Sequence, residues 1–229
     1  MGIEEILERY DKGNISIATA CSHSSLQIFN GARKEGFRSI GIAIKKAPEF
    51  YNAFPLGKPD EFIVIDSYKN LNRYAEEFYK RNAIIIPHGS FVEYMGAENY
   101  LKLNIPTFGN KAVLEWESDR EKERKWLESA GLKMPEIIED ARDIDKPVIV
   151  KYYGAKGGKG FFIAKSYEDF KRKIQPNKPY IIQEFLIGTR YYIHYFYSPL
   201  KKDGYRVAKG SLEVLSIDRR DEANIDEAH

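Results

Sequence analysis

The sequence predicts an α/β protein in which a parallel-sheet region precedes a second region of α+β type. The first observation is that apolar stretches such as ISIATA, SIGIAI and AIIIPHG alternate with helical stretches in the first half of the chain. Nearly continuous Val, Ile and Ala runs of this kind are typical of parallel strands covered on both faces. The second observation is that later strands alternate in polarity, as antiparallel strands do. We therefore expect one domain over residues 1–115 and a second over residues 116–229.

Composition excludes several classes of protein. The 229 residues include 36 basic and 34 acidic side chains, and the resulting net charge of +2 argues against a nucleic-acid-binding protein. The single cysteine, Cys21, rules out an internal disulfide and suits a reducing compartment. The acidic opening GIEEILERYDKG is unlike a signal peptide, and the apolar runs are too short to cross a membrane. We expect a cytoplasmic protein with no nucleic-acid or membrane partner.

The individual elements are predicted from hydrophobic spacing and end signals. Gly13 and Gly36 stop two helical stretches, and serines precede the second of these. In a parallel sheet, ligands bind beyond the carboxyl ends of the strands. In the first region we expect strands at residues 15–20, 39–44, 61–66 and 83–89, and helices at 4–10, 24–36 and 70–82. In the second region we expect strands at 146–152, 160–166, 180–188, 189–200 and 205–220, and helices at 118–131 and 167–174.

The stretch VKYYGAKGGKGFFIAKS joins two of these strands by a glycine-rich, cationic loop. A Walker-type phosphate loop is excluded because Lys159 is followed by Gly160 and not by Ser or Thr. Glycines permit close backbone approach to a ligand, and free N–H groups can cradle anionic oxygens. Lys151 ends the preceding apolar strand, where it can reach a phosphate as a point charge. The alternative is a surface hairpin whose lysines are only solvated.

Downstream, IIQEFLIG is an apolar strand that ends at a glycine. Its edge can present backbone N–H and C=O groups to an adenine, while a carboxylate takes ribose hydroxyls. This succession of lysine-ending strand, glycine hairpin, strand, helix and hinge resembles the ATP-grasp fold. Together with IATACSHSSLQIFNGARKEGF, IIPHGSFVEYMG, PTFGNKAVLEWESDR, IGTRYYIHYFYSPL and IDRRDEANID, it resembles the archaeal-type, formate-dependent 5-formaminoimidazole-4-carboxamide ribonucleotide (FAICAR) synthetases.

The resemblance implies a Rossmann-like, pre-ATP-grasp domain followed by an ATP-grasp domain. It implies an ATP-dependent ligase that forms a C–N bond, formylating the aminoimidazole ribonucleotide AICAR to FAICAR through formyl phosphate in de novo purine (IMP) biosynthesis. The implied small-molecule partners are ATP, formate and AICAR, with Mg²⁺ or Mn²⁺ as cofactor, and a homo-oligomer is expected.

The resemblance also implies site residues. His23 and Ser90 should contact AICAR, although a helix-start or solvent histidine and ordinary turn chemistry are the alternatives. Glu222 should contact the nucleotide, and the alternative is a solvated charge. Catalytic side chains are left unassigned, and neither implied step needs a protein nucleophile. The expected ATP-binding residues are Lys151, Gly154, Ala155, Lys156, Gly157, Gly158, Lys159, Gly160, Gln183, Glu184, Phe185, Leu186 and Glu222.

Several other residues have two interpretations. The serines at 22, 24 and 25 either cap a helix or bind phosphate. Arg219 and Arg220 either neutralise a transferring phosphate or belong to a charged surface turn. His88 is expected only as a neighbour of the substrate, and the turn at 108–111 is placed in the substrate cleft. Cys21 and His194 are expected to be structural, and the aromatic run at 191–197 to be core.

Proteins of the resembled family continue well beyond the last residues, DRRDEANIDEAH. The resemblance therefore implies an incomplete ATP-grasp domain whose metal ligands lie beyond this chain, and we expect little or no formyl transfer from it. Two alternative functions remain. The chain could belong to another ATP-grasp ligase that joins a carboxylate to an amine, or to a non-catalytic nucleotide-binding paralogue.

Overall fold

The computed structural model describes residues 8, 10–117, 119–153, 160–199, 205–207 and 210–220. The chain divides into two compact units, Met1–Leu132 and Lys133–His229. This division falls later than the domain boundary expected at residue 115, which stays a prediction. The helix expected at 4–10, the loop residues 154–159 and Glu222 lie outside the described residues, apart from positions 8 and 10.

The first unit contains the predicted parallel sheet. Its strands are β1 (Ser16–Ala20), β2 (Arg38–Ile44), β3 (Glu61–Ile65) and β4 (Ala83–Ile85). Their order is β3-β2-β1-β4, and each neighbouring pair is parallel. Residues 39–43 of β2 are all buried, as the uninterrupted apolar run predicted. The carboxyl ends of β1 and β4 therefore lie side by side at one edge of the sheet.

The helices of the first unit agree only partly with the sequence prediction. The helix expected at 70–82 begins as a 3₁₀ helix, Tyr68–Tyr74, before it becomes α-helical. The sequence did not predict the 3₁₀ helices at Glu49–Ala53 and Lys111–Val113. The α-helices are α1 (Ser25–Lys34), α2 (Ala75–Lys80), α3 (Gly89–Met95), α4 (Ala97–Leu101), α5 (Leu114–Glu117) and α6 (Arg120–Ser129). Of these, the sequence did not predict the three short helices α3, α4 and α5.

A hydrophobic core of the first unit lies between the sheet and the helices α2 and α3. Ile40, Ile42, Phe78 and Phe91 are completely buried there. Tyr68 belongs to the same cluster, and its hydroxyl donates a hydrogen bond to the Ile42 carbonyl at 3.1 Å. Burial of large apolar side chains is the main source of stability in such a unit.

The second unit contains a small antiparallel sheet with a helix against one face. The elements are β5 (Val148–Tyr152), β6 (Phe161–Ala164), α7 (Tyr167–Lys173) and β7 (Tyr180–Glu184), with a 3₁₀ helix at Ala141–Asp143 before them. The strand order is β6-β5-β7. Val148, Val150 and Ile182 form the packed face together with Phe170 of α7. Because side chains alternate along a strand, Ile149 and Lys151 belong to the opposite face.

A second antiparallel sheet follows in the same unit. Its strands are β8 (Arg190–Ser198), β9 (Tyr205–Val207) and β10 (Gly210–Arg220), in the order β8-β10-β9. The single strand expected at 205–220 is therefore two strands. The aromatic run of β8 was predicted to be core, and this was wrong, because Tyr191, Tyr192 and Tyr195 are 57%, 42% and 55% exposed. Alternating aromatic residues indicate a strand but do not show what covers it. Among the described residues, no helix has the length and apolar character needed to span a membrane.

Candidate functional site

The predicted AICAR residues lie around the carboxyl end of the parallel sheet. His23 is exposed and follows β1, just before α1 begins. Ser90 is half-buried in the first turn of α3, which follows β4. The side chains of their neighbours meet, because Ser22 Oγ lies 3.4 Å from His88 Nε2. The structure therefore places the two loops at one edge.

His88 connects the two strands at this edge. Its Nδ1 accepts a hydrogen bond from the Phe91 N–H at 3.3 Å and caps α3. Since Nδ1 is the acceptor, Nε2 carries the proton, and it donates to the Ala20 carbonyl at 3.1 Å. The sequence predicts His88 only as a neighbour of the substrate, but its ring links the start of α3 to the end of β1.

We expect the change His88→Ala to lower the free energy of unfolding by about 1–2 kcal/mol, because it removes a helix cap and a link to Ala20. His88→Asn keeps a good capping side chain and should recover part of this loss. Urea unfolding followed by tryptophan fluorescence measures both variants. Equal losses would show that the cap contributes nothing, and no loss in either would contradict the role given to His88.

The serine side chains after β1 mainly form hydrogen bonds within the protein. The buried Ser25 hydroxyl donates to the Ser22 carbonyl at 2.6 Å and lies 2.5 Å from the Tyr51 hydroxyl. Its Oγ also accepts from the Ser22 N–H at 3.1 Å. Burial raises the pKa of the adjacent Cys21 thiol to about 11, which supports the interpretation of this cysteine as packed and unreactive. Ser25 is therefore structural, whereas Ser22 faces His88.

A cavity of about 510 Å³ lies beside His88 in the first unit. Its walls include Phe108, Gly109 and Asn110 from the predicted cleft turn, together with Glu93 of α3. Lys111, the last residue of that turn, is directed elsewhere, because its ammonium donates to the Leu103 carbonyl. Burial lowers the pKa of Lys111. The turn thus lines a cavity as expected, although its lysine is used within the protein.

A second cavity, of about 400 Å³, lies wholly in the second unit. Lys151 and Ile149 line it from the face of the small sheet opposite α7. The predicted hinge, residues 183–186, and the following residues 187 and 188 line it from β7 onwards. The Lys151 ammonium donates to Gln183 Oε1 at 3.2 Å, a diagonal contact between β5 and β7, because Gln183 is directly opposite Ile149. The sequence predicts that Lys151 and the hinge bind one ligand, and in the structure both line one cavity. Gly160 is described as the residue that precedes β6, and its carbonyl accepts from Tyr152 N–H at 2.8 Å.

Several polar groups of the hinge already form hydrogen bonds or ion pairs within the protein. The Glu184 carboxylate pairs with Lys146 at 3.0 Å, and the hydrogen bond from this ammonium lowers the pKa of Glu184. The backbone N–H groups of Glu184 and Phe185 donate to the carbonyls of Glu136 and Pro147. Leu186 follows them, is 61% exposed and also lines the cavity. Leu186 is therefore the exposed residue among residues 183–186.

Thr189 and Arg190 are among the residues of this cavity that the predicted site did not include. Arg190 begins β8, and its guanidinium donates to the Tyr192 hydroxyl at 3.4 Å. The only available signal was its position directly after the hinge. His194, expected to be structural, bonds through Nε2 to Asp218 Oδ2 at 2.9 Å and is about half exposed.

The described residues do not fit a magnesium site at this cavity. Mg²⁺ in nucleotide sites usually takes one or two carboxylates and the phosphates of the substrate. The described carboxylate that lines the cavity, Glu184, is held by Lys146. Within the described part of the chain, no group of three or more His, Cys, Asp or Glu side chains is placed to hold a metal ion. No chemical step below is therefore assigned to a metal.

Two family profiles match this chain. A profile described as a protein of unknown function, DUF1246, matches residues 17–138. The chain belongs to this family. A second profile, described as a domain of unknown function, DUF1297, matches residues 168–229. The DUF1246 match covers the parallel sheet with its edge around His88, and the DUF1297 match covers the hinge and the sheet that follows it.

A relative of this DUF1246 chain supports the resemblance stated above. The protein from Methanococcoides burtonii named 5-formaminoimidazole-4-carboxamide-1-(beta)-D-ribofuranosyl 5'-monophosphate synthetase is 60% identical over 98% of this chain and 63% of its own length. The similarity to FAICAR synthetases is therefore confirmed. The chain spans less than two thirds of the length of this curated relative.

Solved structures confirm the fold class. The IMP biosynthesis protein PurP from Thermococcus kodakaraensis matches with a TM-score of 0.66 and 30% identity, over 93% of this chain and 61% of that one. N5-carboxyaminoimidazole ribonucleotide synthetase from Thermotoga maritima matches with a TM-score of 0.63 and 16% identity, over 90% of this chain and 53% of that one, which supports the fold alone. The expected parallel-sheet domain followed by an ATP-grasp domain is confirmed, while incompleteness of the second domain stays a prediction.

Proposed function

We propose that this chain provides the ATP-binding and AICAR-binding parts of an ATP- and formate-dependent ligase that makes FAICAR in purine (IMP) biosynthesis. The observation that carries the proposal is the cavity of the second unit, where Lys151 and the hinge meet. The name of the relative at 60% identity supports the choice of reaction. A homo-oligomeric assembly and a cytoplasmic location belong to the same proposal, as does Mg²⁺ or Mn²⁺ held by residues other than the described ones.

In this proposal ATP lies along the face of the small sheet opposite α7. The Lys151 ammonium binds a phosphate, and Gln183 Oε1 holds it in position at 3.2 Å. The adenine edge bonds to the backbone at Leu186, since the N–H groups of Glu184 and Phe185 are used within the protein. The loop 154–160 covers the phosphates, and Glu222 takes part in nucleotide binding. The loop residues 154–159 and Glu222 lie outside the described residues.

AICAR is proposed to bind at the carboxyl edge of the parallel sheet. His23 and Ser90 contact it from the loops after β1 and β4, where open sheets of this type bind ligands. The Ser22–His88 contact of 3.4 Å supports this placement, because it brings the two loops together. His88 itself is a positioning residue, since its two ring nitrogens bond to Phe91 and Ala20.

The proposed reaction has two steps. A formate oxygen attacks the γ-phosphorus of ATP, the bond to the β,γ-bridging oxygen breaks, and formyl phosphate and ADP result. The AICAR amine then attacks the formyl carbon, phosphate leaves with the C–O bonding electrons, and the amine loses a proton. Positioning and exclusion of water are the main tasks of the protein, because formyl phosphate is labile in water. Lys151 contributes positive charge where negative charge is transferred.

The direct test is to incubate the purified 229-residue chain with ATP, AICAR, isotopically labelled formate and Mg²⁺. Labelled FAICAR and ADP are measured by chromatography, and ATP and AICAR binding are measured separately by calorimetry. We expect both ligands to bind. FAICAR formed in an amount equal to ADP would assign the whole reaction to this chain.

The other outcomes separate the alternatives. Binding of both ligands with little or no turnover is expected if the chain provides only the binding parts of the ligase, and a non-catalytic nucleotide-binding protein would give the same result. Release of ADP only with a different carboxylate and amine would favour another ATP-grasp ligase. Failure of the folded chain to bind ATP would overturn the proposal.

A further inference from the structure

The antiparallel pair β8 and β10 separates its side chains into two different faces. Directly opposed residues on paired strands point to the same face. Arg190 is opposite Arg220, and Tyr192 is opposite Asp218. Arg219 belongs to the other face, where it is opposite Tyr191. We call the first of these the arginine face. It carries Arg190, Tyr192, His194, Ser216, Asp218 and Arg220.

This separation resolves an ambiguity in the sequence. The adjacent Arg219 and Arg220 were equally able to bind phosphate or to form a charged turn. Both belong to β10, and consecutive residues of a strand point in opposite directions. Arg220 therefore shares a face with Arg190, whereas Arg219 shares a face with Tyr191, Ile193 and Ile217.

Tyr192 orders the two guanidinium groups on the arginine face. The Arg190 guanidinium donates to its hydroxyl at 3.4 Å, and the Arg220 guanidinium lies 5.5 Å from the centre of its ring. Like charges placed directly opposite on neighbouring strands destabilise a sheet. A polyanion interacts favourably with both cations. Asp218, which shares this face, bonds to His194 at 2.9 Å.

The arginine face begins at the cavity that contains Lys151. Arg190 lines this cavity together with Lys151 and the hinge. Lys151 of the small sheet and Arg190 of the β8–β10 pair therefore line one cavity, and Arg220 is directly opposite Arg190. A single phosphate needs few such contacts, whereas a triphosphate extends far enough to use several.

We propose that Arg190 and Arg220 bind the polyphosphate chain of the nucleotide held by Lys151, with Tyr192 as the residue that positions both guanidinium groups. This inference rests on the proposed function, since it assumes that the cavity takes ATP. It assigns to the arginine face a preference for nucleoside triphosphates over nucleosides.

The test compares three variants that each remove one positive charge. Arg190→Met and Arg220→Met remove the two proposed contacts, and Arg219→Met is the matched control on the opposite face. Calorimetry measures the affinities of ATP and adenosine, and circular dichroism checks folding. Each of the first two variants should weaken ATP binding about tenfold or more, since hydrogen bonds to charged groups contribute about 1.5–3 kcal/mol. Adenosine affinity should change less than about twofold in these two variants, because adenosine has no phosphate to contact the removed arginine. ATP affinity should also change less than about twofold in Arg219→Met, because Arg219 is not a proposed phosphate contact.

Two further measurements keep the outcomes distinct. Arg190→Lys retains the charge and should recover part of the ATP affinity, so a misfolded Arg190→Met would not decide the test alone. Tyr192→Phe removes the hydroxyl but keeps the ring, and should weaken ATP binding less than Arg190→Met. If wild-type chain binds ATP but Arg190→Met, Arg220→Met and Arg219→Met bind it equally well, this inference is overturned and the proposed function stands. If the folded wild-type chain binds no ATP, both fail.

Discussion

The change Lys151→Met is expected to weaken ATP binding by about one to two orders of magnitude, because an ammonium–phosphate hydrogen bond contributes about 1.5–3 kcal/mol. Lys151 lines the cavity of the second unit and is held at 3.2 Å from Gln183 Oε1. Methionine retains much of the length of the side chain but has no charge. The measurement is calorimetric titration with ATP at two salt concentrations.

Lys165→Met is the matched control for this experiment. Lys165 is exposed, follows β6 in the same unit, and does not line the cavity. Its removal should leave ATP affinity within about twofold of wild type, since exposed charges outside a contact are screened by salt and solvent. The salt dependence of binding should also be weaker in Lys151→Met than in the control. Equal ATP affinity in both variants would show that the phosphates do not bind at Lys151.

The parallel sheet could be predicted because its strands are buried on both sides. A run such as SIGIAI is apolar throughout, and β2 forms at residues 38–44 as expected. The short helices α3 and α4 could not be predicted in the same way. They contain seven and five residues, so each offers too few turns for a periodic pattern. Their positions depend on tertiary contacts, including the His88 cap and the buried Phe91 and Tyr100.

The candidate sites were predictable where one strand carries the signal. Lys151 stands out because a lysine interrupts an apolar strand, and the hinge stands out because an apolar strand ends at glycine. Arg190 and the pairing of Arg190 with Arg220 depend on the register of β8 and β10, which includes an irregularity between Val214 and Ser216. One extra residue in a strand changes which side chains share a face. A sequence pattern alone therefore could not place Arg190 opposite Arg220.

In the first unit, the change Phe91→Ala should lower the free energy of unfolding by about 3–5 kcal/mol, the usual cost of removing a buried phenyl ring. Phe91 is completely buried in α3. Its ring centroid lies 6.2 Å from that of Tyr68 and 5.7 Å from that of Tyr100, with edge-to-face geometry in both pairs. The loss would be a large part of the stability of a typical domain, about 5–15 kcal/mol. It would also loosen α3, the helix that carries Ser90.

Unfolding of the first unit can be followed by itself. Both tryptophans of the sequence, Trp116 and Trp126, belong to this unit, so their fluorescence during urea unfolding reports on it. Phe54→Ala is the matched control, because this side chain is 49% exposed and should lose only about 1 kcal/mol. Equal losses in the two variants would contradict the packing of α3 against the sheet. A large loss confined to Phe91→Ala, together with weaker AICAR binding, would connect this core to the edge where His23 and Ser90 lie.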